Sequence, residues 1–221
     1  MELLLPFALG RAVNNKVLVA LSAIGAQQSA ATENTADAIE QLLNYVATYP
    51  NDGTLFRASD MVLAAHADAG FLNESRAWSR AGAHIFLSEN DPKPKLNGPI
   101  LTIAQIIKSV MASAAETELA ALYITAKKMV LLRNTLIEMR WPQPKSLIQT
   151  DNSTAVGFTN KTIVTKAIKS LDMQFWWLRN RKSQDQFRYY WAPGSENEGD
   201  YSTKHHPPIY HLAKRTNPYW V

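Results

Sequence analysis

The sequence predicts an α/β fold: a five-stranded mixed sheet flanked by helices, with a helical hairpin in front. Three observations predict it. The stretch Met61-Val62-Leu63-Ala64-Ala65-His66-Ala67-Asp68 is apolar almost throughout, as in a strand covered on both faces. A long helical stripe ends at Pro142 and Pro144 and gives way to a short strand, Leu147–Asp151, the pattern of a crossover to a parallel neighbour. Upstream of the first strand, apolar residues recur only at helical spacing.

In chain order, Val13, Val17, Leu21 and Ile24 predict a helix from about Ala12 to Gln28. Thr32 to Asn34 is a polar break with cap-forming residues. A second helix carries Ile39, Leu42, Leu43 and Val46 and stops before Pro50. This hairpin is too small to hold a core alone, so it must dock on the sheet downstream. The first strand ends in Asp68-Ala69-Gly70, and a second is expected at Ala83–Leu87. A third covers Ile100 to Met111, after a loop rich in proline and charge. Ser113 to Met139 is the long helix. Asn152 to Asn160 reads as a short helix, and Lys166 to Arg181 as an amphipathic one carrying Ile168, Leu171, Phe175 and Leu178. Phe187–Trp191 is the fifth strand. Gly199 to His205 can open a last helix, and the tail beyond Pro207 looks irregular.

Composition narrows the chemistry. No cysteine is present, which excludes disulfides, thiolate zinc sites and cysteine nucleophiles. The net charge of +4 is compatible with a polyanionic partner without identifying one. No apolar run approaches the roughly 18 residues of a membrane span, and the N-terminus breaks at Pro6 without a positive leader. A soluble protein of the cell interior, with no membrane partner, is expected.

The long helix opens on Ser113-Ala-Ala-Glu116-Thr-Glu118-Leu. Ser113 and Glu116 form a capping box, which gives Glu116 a structural task. Glu118 has none. It heads the core-facing stripe Leu122, Met129, Leu132, Leu136, where a bare carboxylate is costly unless paired or bound to metal. Asp68 and Asp151 each end a predicted strand. If those strands are parallel neighbours, both acids lie at the carboxyl edge of the sheet, where open α/β sheets bind ligands. Asp200 lies beyond the last strand. Converging carboxylates without histidine or cysteine suit Mg²⁺ or Mn²⁺, and two such ions would serve phosphodiester hydrolysis. Each acid has a plainer reading as well: a turn cap at Asp68, a buried salt bridge at Glu118, a helix cap at Asp151 or Asp200. His66 shares a strand face with Asp68 and reads first as a packed histidine. Trp176, Trp177, Tyr189, Tyr190 and Trp191 can stack on nucleic acid or simply fill the core.

The order strand–Asp, helix–Glu-Leu, strand–Thr-Asp, late Asp resembles the ribonuclease H pattern. Ser113–Leu122, Gln149–Ala155 and Asn197–Lys204 are similar to the corresponding motifs of copia-type LTR retrotransposon Pol polyproteins. Leu42–Val46 is similar to the helix leading out of their reverse transcriptase. The resemblance covers about 12 to 208. It implies a ribonuclease H-like fold and three regions: 1–57, a helical segment from the end of a reverse transcriptase; 58–208, the ribonuclease H-like domain; and 209–221, an irregular tail. It implies catalytic and metal-binding roles for Asp68, Glu118, Asp151 and Asp200, with two ions of Mg²⁺ or Mn²⁺. The implied substrate is the RNA strand of an RNA–DNA hybrid, and the implied partner is the reverse transcriptase portion of the same polyprotein. Asn73, Asn152 and Ser153 are candidate substrate contacts. The implied place is the cytoplasm, in the virus-like particle of a retroelement, with the nucleus as alternative. The chain departs from the pattern in two places. Ala192–Glu196 stands where some ribonucleases H carry a histidine, and Gln105-Ile106-Ile107-Lys108 replaces a polar third strand. The rival reading is a catalytically inactive module of the same fold that binds nucleic acid or a polymerase partner.

Overall fold

The computed structural model describes residues 4–160, 172–214 and 219–220. Strands β1 (Val62–Glu74), β2 (Trp78–Ser88) and β3 (Pro99–Ile107) form an antiparallel meander. β4 (Ser146–Thr150) and β5 (Phe187–Trp191) add to its β1 edge in parallel. The order β3-β2-β1-β4-β5 makes the sheet mixed and five-stranded, as the sequence predicts.

Period-two alternation gives the sheet two unlike faces. Leu63, Ala65 and Ala67 of β1, with Ala83 and Ile85 of β2, pack under α4 (Ala114–Glu138). Leu119, Leu122, Ala126, Met129 and Leu136 of α4 meet them. Each large side chain buried there contributes about 1.5–3 kcal/mol. Arg133 fastens the far end of α4 by donating to Ser146 Oγ at 3.0 Å, to the Gln143 carbonyl at 2.5 Å and to the Pro144 carbonyl. Gln143 in turn accepts from the Leu63 N–H at 2.9 Å and donates to the Met61 carbonyl at 2.8 Å. The crossover from α4 into β4 is thereby tied to the start of β1. α5 (Ser153–Thr159) and α6 (Asp172–Ser183) flank α4, and Phe175 and Leu178 of α6 enter the same core.

The second face carries His66, His84 and Phe86. It is covered by the N-terminal helices and the end of the chain. α2 (Leu18–Ala26) packs on β3, and the Asn15 amide donates to Thr102 Oγ1 at 3.2 Å. The Tyr219 ring lies 4.8 Å from His84, and the Trp220 indole donates to Asn15 Oδ1 at 2.9 Å. The helical hairpin, α2 followed by α3 (Glu33–Thr48), therefore docks on the sheet through α2, with α3 packed on α2.

Several local expectations are corrected. The predicted helix from Ala12 to Gln28 begins only at Leu18, as α2: a separate helix, α1 (Leu4–Ala12), lies ahead of it, and the Asn14 side chain caps a 3-10 turn at Asn15–Val17 by accepting from the Lys16 N–H. β1 does not end at Asp68. It runs to Glu74 because β2 keeps pairing with it beyond that point. β3 stops at Ile107 rather than Met111. The tail 209–221 is not simply irregular: α7 (Pro208–Lys214) forms, and Tyr219 and Trp220 are buried. The predicted Lys166–Arg181 helix is seen as α6, and Ile168 and Leu171 lie outside the described residues.

Candidate metal centre

Parallel pairing of β1 with β4 builds the site. Ala64 faces Leu147 and His66 faces Gln149 in register, and two residues further along each strand come Asp68 and Asp151. β4 ends at Thr150, so Asp151 leaves the sheet there while Asp68 stays inside the longer β1. α4 supplies the third acid. The Ser113 hydroxyl oxygen accepts from the Glu116 N–H at 3.2 Å and starts the helix. Glu116 accepts from Ala112, one residue before the amide that the capping box predicts, at 2.8 Å. From this start Glu118 faces the sheet, 9% exposed.

Asp68, Glu118 and Asp151 come together: one carboxylate oxygen from each lies within 4.8 Å of the others. Burial pushes the Glu118 carboxyl up to about 9, with repulsion from Asp68 and Asp151 adding to it. The Ala69 amide donates to Glu118 and opposes the shift. Oε2 of Glu118 is buried with no hydrogen-bond partner among the described residues. Burial likewise raises Asp68, to about 7. The Thr203 hydroxyl, 2.5 Å from Asp68 Oδ2, counters that, while Asp200 and Asp151 reinforce it. Three crowded acids, one with an unpartnered buried oxygen, form a donor set of hard oxygens. That set fits Mg²⁺ or Mn²⁺.

Asp200 stands apart from this cluster. It opens a 3-10 turn, Asp200–Ser202, and its carboxylate takes the Lys204 ammonium. Its charge still reaches Asp68. The loop that carries it is pressed onto the sheet. Asn197 donates to the Ala67 carbonyl at 2.9 Å and accepts from the Gly199 N–H at 3.0 Å. A Cβ on Gly82 would lie 2.5 Å from the Gly199 carbonyl oxygen, and one on Gly199 would lie 2.9 Å from the Asp68 nitrogen. Only glycine permits this approach from both sides.

Of the candidate substrate contacts, Asn73 donates to the Thr203 carbonyl at 2.5 Å and Asn152 caps α5 by accepting from Ala155 at 3.0 Å. Ser153 is exposed at the start of α5. His66 is a packed histidine: Nδ1 accepts from the Glu198 N–H at 3.3 Å, and burial holds the ring down at about 3, neutral at any ordinary pH. Thr203 and Asn197 carry roles that sequence reasoning misses. The signal for them is the closing segment Asn197–Lys204, in which the acid stands out and its flanking donors do not.

No protein-family model matches this chain. Over 168 residues, 76% of its length, the chain is 22% identical to the retrovirus-related Pol polyprotein from transposon TNT 1-94 of Nicotiana tabacum. The match spans 12% of that protein. Among solved structures, it is similar to LC11 ribonuclease H1 isolated from compost, at 15% identity and a TM-score of 0.49, over 65% of this chain and 93% of that one. That protein is also known in complex with an RNA/DNA hybrid. The N-terminal ribonuclease H domain of rv2228c from Mycobacterium tuberculosis is similar at 16% identity and a TM-score of 0.45, over 62% of this chain and 91% of that one. The Pol resemblance agrees with the motifs, and five mixed strands with α4 laid across one face make the ribonuclease H-like arrangement.

Proposed function

We propose that this chain, a ribonuclease H-like domain akin to part of a retrotransposon Pol polyprotein, is a metal-dependent endonuclease that cuts the RNA strand of RNA–DNA hybrids. The observation that carries the reading is the convergence of Asp68, Glu118 and Asp151 with an unpartnered buried oxygen on Glu118. In this reading Asp68, Glu118 and Asp151 would hold the divalent metal, and Asp200, now paired with Lys204, would join them for a second ion. Bound there, Mg²⁺ or Mn²⁺ supplies an activated water and stabilises charge on the leaving oxygen. The chain's own part is positional. Thr203 fixes the Asp68 rotamer, and Asn197 ties the loop that carries Asp200 to β1. Water oxygen bonds to phosphorus as the bond to the 3′-oxygen breaks, leaving a 5′-phosphate and a 3′-hydroxyl. Selection of RNA rests on 2′-hydroxyl contacts, which alone separate the two strands chemically. The reverse transcriptase portion of the same polyprotein is the proposed partner.

A second reading, an inactive module that binds nucleic acid or a polymerase, is favoured by one observation: Asp200 is paired with Lys204 and stands outside the cluster. Cleavage of a hybrid labelled on its RNA strand, in Mg²⁺, separates the two. The wild type should cut, and Asp68→Asn should lose several kcal/mol of transition-state stabilisation, a rate loss of roughly a thousandfold. Equal cleavage by both proteins overturns the chemistry. Binding without cleavage by the wild type selects the inactive module.

A further inference from the structure

Trp191 ends β5 in register with Thr150, the residue before Asp151. By strand alternation it shares a face with Phe187 and Tyr189, which are buried in the core under α4. Trp191 is not buried: it is 53% exposed. A single exposed apolar residue needs no explanation in itself. This one is also fixed in place, since its indole Nε1–H donates to the Asp151 carbonyl at 2.8 Å. The hydrogen bond holds a large, half-exposed ring against the backbone of one of the three clustered acids. On the side-chain side of the same acid the chain narrows: a Cβ on Gly194 would lie 2.8 Å from Asp151 Oδ2. The neighbourhood of Asp151 thus combines a close-fitting glycine and one rigid aromatic surface open to solvent.

We propose that the Trp191 indole is a stacking platform for the nucleotide next to the phosphodiester bound at the acid cluster. In a paired duplex the bases already stack on one another, so the surface a protein ring can reach beside a backbone phosphate is the sugar. The platform therefore packs on the ribose of the strand being cut and sets which phosphate lies over Asp68, Glu118 and Asp151. The tether to Asp151 keeps the ring at a fixed distance from those acids, which reduces the entropy lost on binding. This inference rests on the reading that the acids act on nucleic acid.

The test is fluorescence anisotropy with a labelled RNA–DNA hybrid, in Ca²⁺ so that the strand is not consumed. Base stacking on aromatic side chains is worth about 1–3 kcal/mol, and a sugar contact falls at the lower end. Trp191→Ala should therefore weaken binding about tenfold, or ~1.4 kcal/mol, and Trp191→Phe should stay within about threefold of wild type. Ultraviolet cross-linking of the wild-type protein to the hybrid should place an adduct on Trp191, a readout that needs no variant to fold. Wild-type affinity in Trp191→Ala, or adducts confined to other residues, overturns the platform and leaves the nuclease reading standing. A wild type that binds hybrid through Trp191 without cutting it removes the nuclease reading and keeps the platform. No hybrid binding by the wild type sinks both.

Discussion

Glu118 is held in an environment that opposes its charge, and this has a measurable signature. Its carboxyl is raised to about 9 in the fold, first by burial and then by Asp68 and Asp151, against about 4.3 in an unfolded chain. Between those values the folded protein binds a proton that the unfolded one does not. Stability is then fully present at low pH and is lost as pH rises through the folded value. Asp68 works in the same direction. In chelator, Glu118→Gln should melt close to wild type near pH 5 and at a higher temperature near pH 9. Adding Mn²⁺ should help the wild type and not the variant. A wild type more stable than Glu118→Gln at pH 9 without metal would mean that the carboxylate is well paired or solvated. Glu118 is legible in the sequence because a capping box fixes where its helix starts and three- and four-residue steps fix which way it faces. Thr203 is not, because its bond to Asp68 joins positions 135 apart and no local pattern announces it.

Elements place these residues, and pairing partners decide where the elements stop. The apolar run to Asp68 marks β1 correctly and misplaces its end. An acid after apolar residues reads as a strand end, and only the antiparallel reach of β2 carries the strand on, with Gly70 opposite Arg80. The parallel neighbour is readable, because a long helix followed by a short strand leaves little alternative. The join between α4 and β4 depends on Arg133, whose guanidinium satisfies Ser146 Oγ and the Gln143 carbonyl from a largely buried position. Replacing Arg133 by Ala leaves those acceptors buried and unmet, at about 1–3 kcal/mol for each such group. Urea denaturation should show a loss of about 3 kcal/mol with hybrid binding per folded molecule unchanged. A loss under about 0.5 kcal/mol, the range of a neutral surface change, would mean that this end of α4 is held by packing alone.

At the scale of the molecule, the N-terminal helices and the last residues close together over the sheet face opposite α4. Lys16 and Asp52 form a buried ion pair at 2.9 Å, Thr54 bridges to Trp220, and the Leu55 N–H donates to the Tyr219 carbonyl at 2.9 Å. Tyr219 also donates to Glu198 at 2.5 Å, next to the loop that carries Asp200. The tail reads as irregular in sequence because two aromatic residues after a proline carry no periodicity; their burial depends on a surface assembled from both ends of the chain. Trp220→Ala should cost about 3–5 kcal/mol, the range for emptying a buried aromatic site, seen as a lower melting temperature. An unchanged melting temperature would show that the tail is dispensable. The central claim is that three acids, distant in sequence, form one binding site for a divalent cation. Isothermal titration of Mn²⁺ into the metal-free wild type and into Asp68→Asn tests it most directly. Saturable binding at millimolar affinity or tighter in the wild type, lost in Asp68→Asn, is the predicted result; no binding by the wild type, or the same isotherm from both proteins, would contradict it.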